Sequence, residues 1–378
     1  MFDDFIRLVR DIYQRDGLIP LHEPRFQGRE KDYLLDVIDS TFVSSVGQYV
    51  DRFEVECARF TGANYAVATV NGTAALHVAL LLAGVKPDEQ VLTQALTFIA
   101  TSNAIHYCGA EPIFIDVDRA TLGLSATALE DFLHHYAELR DDEAWNKKTG
   151  KRIAACLPMH TFGHPVDMVN ILRVCKKYNI PVIEDAAEAL GSSLNNQVCG
   201  TMGRLGVLSF NGNKIITTGG GGMILTDDES LALQAKHLTT TAKQAHPWQF
   251  IHDRIGFNYR MPNLNAALGV AQLESLPQFL TQKRTLAAQY IEWARQYQLQ
   301  CVIEPQQACS NYWLNALVLN DRSERDAFLT ATNNQGVMTR PIWEPMHHLA
   351  MYRHCQHDGL INTEWLADRV VNIPSSVH

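Results

Sequence analysis

The chain lacks the features that mark several protein classes. No stretch of its 378 residues approaches the about 18 consecutive apolar residues of a membrane-spanning helix. The opening MFDDFIRLVRDIY is charged and amphipathic and has no apolar segment of signal-peptide type. Basic charge is short: 32 Lys and Arg stand against 41 Asp and Glu, a formal net charge of −9. No basic field for nucleic acid exists, so an anionic ligand has to be held by local groups and helix ends. No C-x-x-C pair occurs among the scattered cysteines (57, 108, 156, 175, 199, 301, 309 and 355). Most lie in apolar stretches, as expected of reduced, buried thiols in a cytoplasmic protein. The run Gly219–Gly222 lacks G-x-G-x-x-G spacing before a helix, and an apolar strand follows it, which excludes a Rossmann or P-loop reading. His347, His348, His354 and His357 show no complete ligand spacing, so no metal site is expected.

What is present is an ordinary globular composition, 46% hydrophobic and 19% charged. The length suggests two domains. Residues 1–19 read as an arm whose helix, with Phe2, Phe5, Ile6, Val9 and Tyr13 at helical spacing, packs on the body or on a partner subunit. Gln27–Ser40 reads as a helix. From about residue 64, apolar strands and helices alternate. Strands are expected at Tyr65–Val70, Gln90–Leu92, Glu111–Val117, Ile153–Met159 and Pro181–Asp185, with helices at Thr73–Gly84, Ile99–Cys108 and Val169–Tyr178. Such alternation means an α/β domain, a mostly parallel sheet between helices, here spanning 20–255. Ligands of such sheets sit beyond the carboxyl ends of the strands. The charged stretch 137–151 reads as a surface excursion. Residues 256–378 read as a smaller α+β domain. It opens on a long helix over Asn265–Arg295, bent near Pro277, with strands near Trp313–Leu319 and Val337–Thr339 and a helix near Ser323–Asn333.

Several strand ends carry chemistry. Asp185 ends one apolar strand, where a carboxylate either caps the next helix or partners a buried cation. Glu188 lies one helical turn further and either faces the same ligand or caps and solvates. Ser209 ends another strand, and Lys214 follows in a polar, glycine-containing turn. An acid at one strand end and a lysine after a later one are what a pyridoxal phosphate (PLP) enzyme needs. The acid keeps the pyridine nitrogen protonated and the lysine bonds the cofactor. Gly72-Thr73 follow a strand and open a helix, a place where backbone amides can approach an anion. Thr73 reads as near the N-cap. Phe98 can stack on a flat ring or fill the core. His160, at a strand end beside Gly163, is a site candidate or a structural histidine.

Taken together, NGTAALHVAL, TFIATSNAI, VIEDAAEALGS, GVLSFNGNKIITTGGGGMI, GFNYRMPNLNAALGVAQLE and RPIWEPMHHLAMY resemble the DegT/StrS family of PLP-dependent nucleotide-sugar aminotransferases over nearly the whole chain. Residues 19–54 and the excursion at 137–151 are most similar to the 4-aminotransferases of UDP-4-keto-6-deoxy-N-acetylhexosamines, as in legionaminic acid and bacillosamine routes. The resemblance implies fold type I of the PLP-dependent transferases and a homodimer with shared active sites. It also implies PLP passing through pyridoxamine phosphate, with glutamate and a nucleotide sugar as substrates. Lys214 then matches the cofactor-bonding lysine and Asp185 the pyridinium partner. Phe98 matches the stacking aromatic, and Gly72, Thr73 and Ser209 the phosphate cup. Asn258 matches a residue reaching the phosphate from the other subunit. Position 188 varies between family branches, and glutamate adds a negative charge that many members lack. His160, Arg260, Arg340 and His347 are the substrate-binding candidates. Same-fold sugar dehydratases replace the lysine with histidine, which Lys214 argues against. A non-catalytic regulatory protein on this scaffold would not need the intact Lys214 and Asp185.

Overall fold

A computed structural model describes residues 1–377. The chain opens on three helices: α1 (Phe2–Tyr13), α2 (Glu30–Ser40) and α3 (Gln48–Thr61). Strand and helix then alternate through β1 (Tyr65–Thr69), α4 (Gly72–Leu82), β2 (Gln90–Gln94), α5 (Ile99–Tyr107), β3 (Glu111–Ile115) and α6 (Ala126–Tyr136). A hairpin of β4 (Ala137–Arg140) and β5 (Glu143–Asn146) precedes β6 (Ile153–Leu157), α7 (Met168–Lys177) and β7 (Ile183–Asp185). The short β8 (Ser193–Leu194) and β9 (Gln197–Val198) lead to β10 (Leu205–Ser209), β11 (Gly222–Thr226) and α8 (Glu229–Thr239). The remainder comprises α9 (Asn263–Gln296), β12 (Gln300–Cys301), β13 (Ala308–Cys309), β14 (Asn315–Val318), α10 (Arg322–Asn334), β15 (Arg340–Pro341), α11 (Ile361–Ala367) and β16 (Val370–Ile373).

The central sheet runs β3-β2-β6-β7-β10-β11-β1. Parallel bridges Cys156–Val182 and Met159–Asp185 join its two halves. All pairings are parallel except those of β11, which runs against both β10 and β1. Its strands read as continuous apolar runs because helices cover both faces. On one face α4, α5 and α8 press Leu76, Ala79, Ile105 and Ala235 onto Val207 and Ile224. On the other, Leu129 and Ile171 of α6 and α7 and the Phe53–Phe210 contact under α9 close the core.

The long helix α9 spans 34 residues with Pro277 inside it, and links the two parts of the chain. Its first half packs in the large core, and its second half offers Leu286, Tyr290 and Trp293 to a smaller one. There the antiparallel sheet β12-β14-β16-β15 sits with α10. The N-terminal helix settles on this smaller core. Phe5, Ile6 and Val9 are buried, and the Phe5 ring lies 5.0 Å from Phe328 and 5.1 Å from Trp293. No helix among the described residues is long and apolar enough to cross a membrane.

Three segments differ from the sequence reading. The stretch 137–151 is not a plain surface loop. Its alternating residues pair as β4 and β5 across Asp141-Asp142, both in the left-handed region as a two-residue hairpin turn needs, and Asn146 bonds Gln90 at 2.8 Å. Helix α3 went unread, although Tyr49, Val50, Phe53 and Cys57 are buried at helical spacing. The strand expected at Val337–Thr339 forms at Arg340–Pro341 instead, where the distant β16 supplies the pairing.

Candidate active site

The strand order fixes which ends meet. Asp185 is the last residue of β7 and Ser209 the last of the neighbouring β10. Ser209 lies opposite Gly222 of β11, which lies opposite Thr69 at the end of β1. The loop after β1 therefore returns beside Ser209. A β-carbon on Gly72 would meet the Ser209 β-carbon at 2.9 Å, so only glycine lets α4 begin this close to the strand. The cap of α4 is Asn71 rather than Thr73: its backbone is extended and its side chain accepts the Ala74 amide at 2.7 Å. Among the described residues the amides of Gly72 and Thr73 have no acceptor. They stand at the positive end of a helix, beside a serine hydroxyl.

These groups border one cavity of about 590 Å³. Asp185 lies on its floor. Its Oδ2 accepts the Thr101 hydroxyl at 2.8 Å and its Oδ1 the Ala187 amide at 3.2 Å. Burial pushes the Asp185 carboxyl above its ordinary value, against these two hydrogen bonds. Lys214 Nζ lies 3.2 Å from Glu188 Oε1 and 4.0 Å from the centre of the Trp313 ring. Burial raises the Glu188 carboxyl to about 7, even with the Lys214 ammonium pulling it down. Phe98, half exposed at the start of α5, leans toward Trp343 across the cavity mouth, with ring centres 6.5 Å apart. Arg340 lines the same cavity.

Residues 24–378 match the DegT/DnrJ/EryC1/StrS aminotransferase family. The chain belongs to this family. It is a PLP-dependent aminotransferase of fold type I. Among curated relatives, the GDP-perosamine synthase of Escherichia coli O157:H7 is 36% identical over 359 residues, covering 94% of this chain and 93% of that protein. The putative pyridoxal phosphate-dependent aminotransferase EpsN of Bacillus subtilis is 36% identical over 330 residues, covering 87% and 82%. The solved structure of the aminotransferase TlmJ from Streptoalloteichus hindustanus superposes with a TM-score of 0.86 at 28% identity, covering 95% of this chain and 94% of that one.

The residues of this aminotransferase fit PLP. The cavity offers a lysine, a buried carboxylate bonded to the Thr101 hydroxyl and the Ala187 amide, an aromatic side wall, and two unpartnered helix-end amides beside Ser209 for a phosphate.

Four expected residues stand elsewhere in the protomer. His160 is a correction: it is buried behind the cavity wall, with Nε2 2.9 Å from Glu184 Oε2 and Nδ1 accepting the Val166 amide at 3.2 Å. Glu184 in turn accepts the amides of Gly200, Met202 and Gly203, so this pair holds the β7–β10 connection together. His347 is also a correction. It turns away from the cavity, and its Nε2 meets Glu364 Oε1 at 2.7 Å, the atom that also takes His348 at 2.8 Å. Chain spacing does not show this grouping, because α11 brings Glu364 from a separate element. Asn258 is exposed and pairs with Thr240, and Arg260 borders a separate hollow with Asp51 and Lys236.

Sequence reasoning missed Trp313, Trp343 and Thr101. Trp313 was legible only as part of a strand, since the small domain must fold back before it meets Lys214. Thr101, two residues past Ile99 in α5, was open to reading as the partner of an acid at a neighbouring strand end.

Proposed function

We propose that this aminotransferase moves the amino group of glutamate to the 4-keto carbon of a nucleotide-linked 4-keto-6-deoxy sugar, with Lys214 as its proton carrier. The observation that carries the reading is that Lys214, Asp185 and the N-terminus of α4 open onto one cavity. PLP, when bound, would supply a ring that takes up the electron pair of a carbon losing a proton and returns it to a carbon gaining one. The chain does the rest. Lys214 would hold the cofactor, and its Nζ would carry the proton during the exchange. Asp185, fixed by Thr101 and the Ala187 amide, would hold a pyridine nitrogen in its protonated form. The amides of Gly72 and Thr73 and the Ser209 hydroxyl receive the phosphate. Phe98, which lines the cavity, would offer its ring face to a flat cofactor. Arg340, at the mouth, offers a cation to the sugar nucleotide.

The same reading makes the working form a homodimer. Asn258 follows a loop whose Trp248, Phe250 and Ile255 are 77%, 81% and 86% exposed, more apolar surface than a lone protomer tolerates well. A partner covering this loop would receive Asn258 at its phosphate site and Arg260 near its substrate.

Two nucleotides have support. The names of relatives at 36% and 34% identity favour GDP. The similarity of residues 19–54, and the hairpin at 137–151, favour a UDP-linked N-acetyl sugar. The deciding experiment offers glutamate with UDP-, GDP- and dTDP-linked 4-keto-6-deoxy sugars and follows product mass and NMR. Nitrogen at C4 of one of these products is expected. Nitrogen at C3, or use of 3-keto sugars alone, overturns the reading.

A further inference from the structure

Glu188 is held more firmly than a carboxylate that only neutralises a lysine needs to be. Its Oε2 accepts the Phe162 amide at 2.9 Å, and its Oε1 faces Lys214 Nζ at 3.2 Å. The Phe162 backbone is in the left-handed region (φ 56°) with its ring fully buried, which fixes that amide. The Glu188 carbonyl is itself tied to the Asn311 side chain at 2.9 Å. From the other side the Trp313 ring covers Lys214 Nζ. The indole N–H of Trp313 donates to the Asn213 carbonyl at 2.7 Å, and its backbone carbonyl accepts a hydrogen bond from the buried Lys283 Nζ at 2.8 Å. The head of Lys214 is thus gripped between a fixed carboxylate and a fixed aromatic face. Only 1% of the Glu188 side chain reaches solvent. Asp185 is the other charge facing it, and Asp185 is bonded to Thr101 and the Ala187 amide rather than to Lys214.

We propose that Glu188 is a positioning residue that takes the proton of Lys214 and returns it. The inference rests on the reading of Lys214 as the cofactor-bonding lysine. In the forward step an N–H bond of the ammonium breaks and an O–H bond forms on Glu188 Oε1. This leaves a neutral amine with its electron pair and a neutral carboxylic acid. The reverse step restores the ion pair, and no other reactant takes part. Burial brings the neutral pair closer in energy to the ion pair, because it penalises charges and spares a neutral pair. The raised Glu188 carboxyl agrees with this. An ammonium cannot accept the proton leaving a substrate carbon, so transfer to Glu188 readies Lys214 as the base.

The test compares PLP-loaded wild type with E188Q, which keeps the size and one acceptor oxygen but cannot take the proton. The visible absorption band of the Lys214-bound cofactor is titrated in both. Losing the neighbouring negative charge is expected to lower the midpoint by about one pH unit or more. An inflection from Glu188 in the pH profile of the glutamate half-reaction is expected in wild type and absent from E188Q. E188D, with the carboxylate drawn back, is expected to shift the band in the same direction by less, and it serves if E188Q does not fold. Borohydride trapping with peptide mapping accompanies each titration. Trapping on another lysine overturns the parent reading and this inference with it. Trapping on Lys214 with an unmoved band and an unmoved inflection overturns this inference alone.

Discussion

Gly72 and Ser209 stand so close that a β-carbon on residue 72 would lie 2.9 Å from that of Ser209 and 3.2 Å from its hydroxyl oxygen. Two segments far apart in the chain meet there because β11 runs back between β10 and β1. Gly72→Ala is expected to push the start of α4 away from the strand at a cost of about 1–3 kcal/mol. The loss falls on the anion site, so PLP affinity should drop tenfold or more while the protein still unfolds cooperatively. Spectroscopic PLP titration checks this, and an unchanged affinity would refute it.

Lys214→Ala is expected to abolish turnover and leave the fold intact. Its Nζ contacts Glu188 and the Trp313 ring, and both keep their other anchors without it, the Phe162 amide and the Asn213 carbonyl. Circular dichroism and a steady-state assay measure the two halves of the claim. Retained turnover would remove Lys214 from the mechanism.

Shared sites predict complementation. Lys214→Ala and Asn258→Ala protomers, each inactive alone, should regain part of the activity when mixed, because one site of each mixed dimer then carries neither change. Demonstrated heterodimers with no recovery would confine each site to one protomer.

His164 predicts a pH effect on stability. It is fully buried against Ser310, with Nδ1 2.9 Å from the hydroxyl, and burial pushes its pKa down to about 4 despite Glu304 nearby. The unfolded chain takes a proton on this residue below its ordinary value of 6.5, whereas the folded chain refuses it until about 4. Stability from this group is therefore full above pH 6.5 and falls as pH drops toward 4, by up to roughly 3 kcal/mol. Urea unfolding of wild type and His164→Gln across that window tests it, with a flatter profile expected for the variant. Parallel profiles would show that His164 is not the source.

The amino-acid sequence by itself determined the alternating α/β domain and the pairing of an acid with a lysine at strand ends. Both are carried by local signals: continuous apolar runs, helical spacing, and polar residues where a strand stops. Asp185, Ser209, Gly72 and Phe98 were legible for that reason, since sheet geometry sends every parallel strand end to the same side. Tertiary structure alone decided which strand ends are neighbours, because β11 reverses direction where no local signal marks it. It also decided that Trp313 covers Lys214 and that His160 serves Glu184 instead of the cavity. Those contacts join residues from separate elements, and a side chain's partner across such a distance depends on packing that no short stretch of chain encodes. Glu188 shows the division most clearly. Its place one turn after Asp185 was readable, whereas its grip on Lys214 required the Phe162 amide and the loop after β10 to arrive from either side.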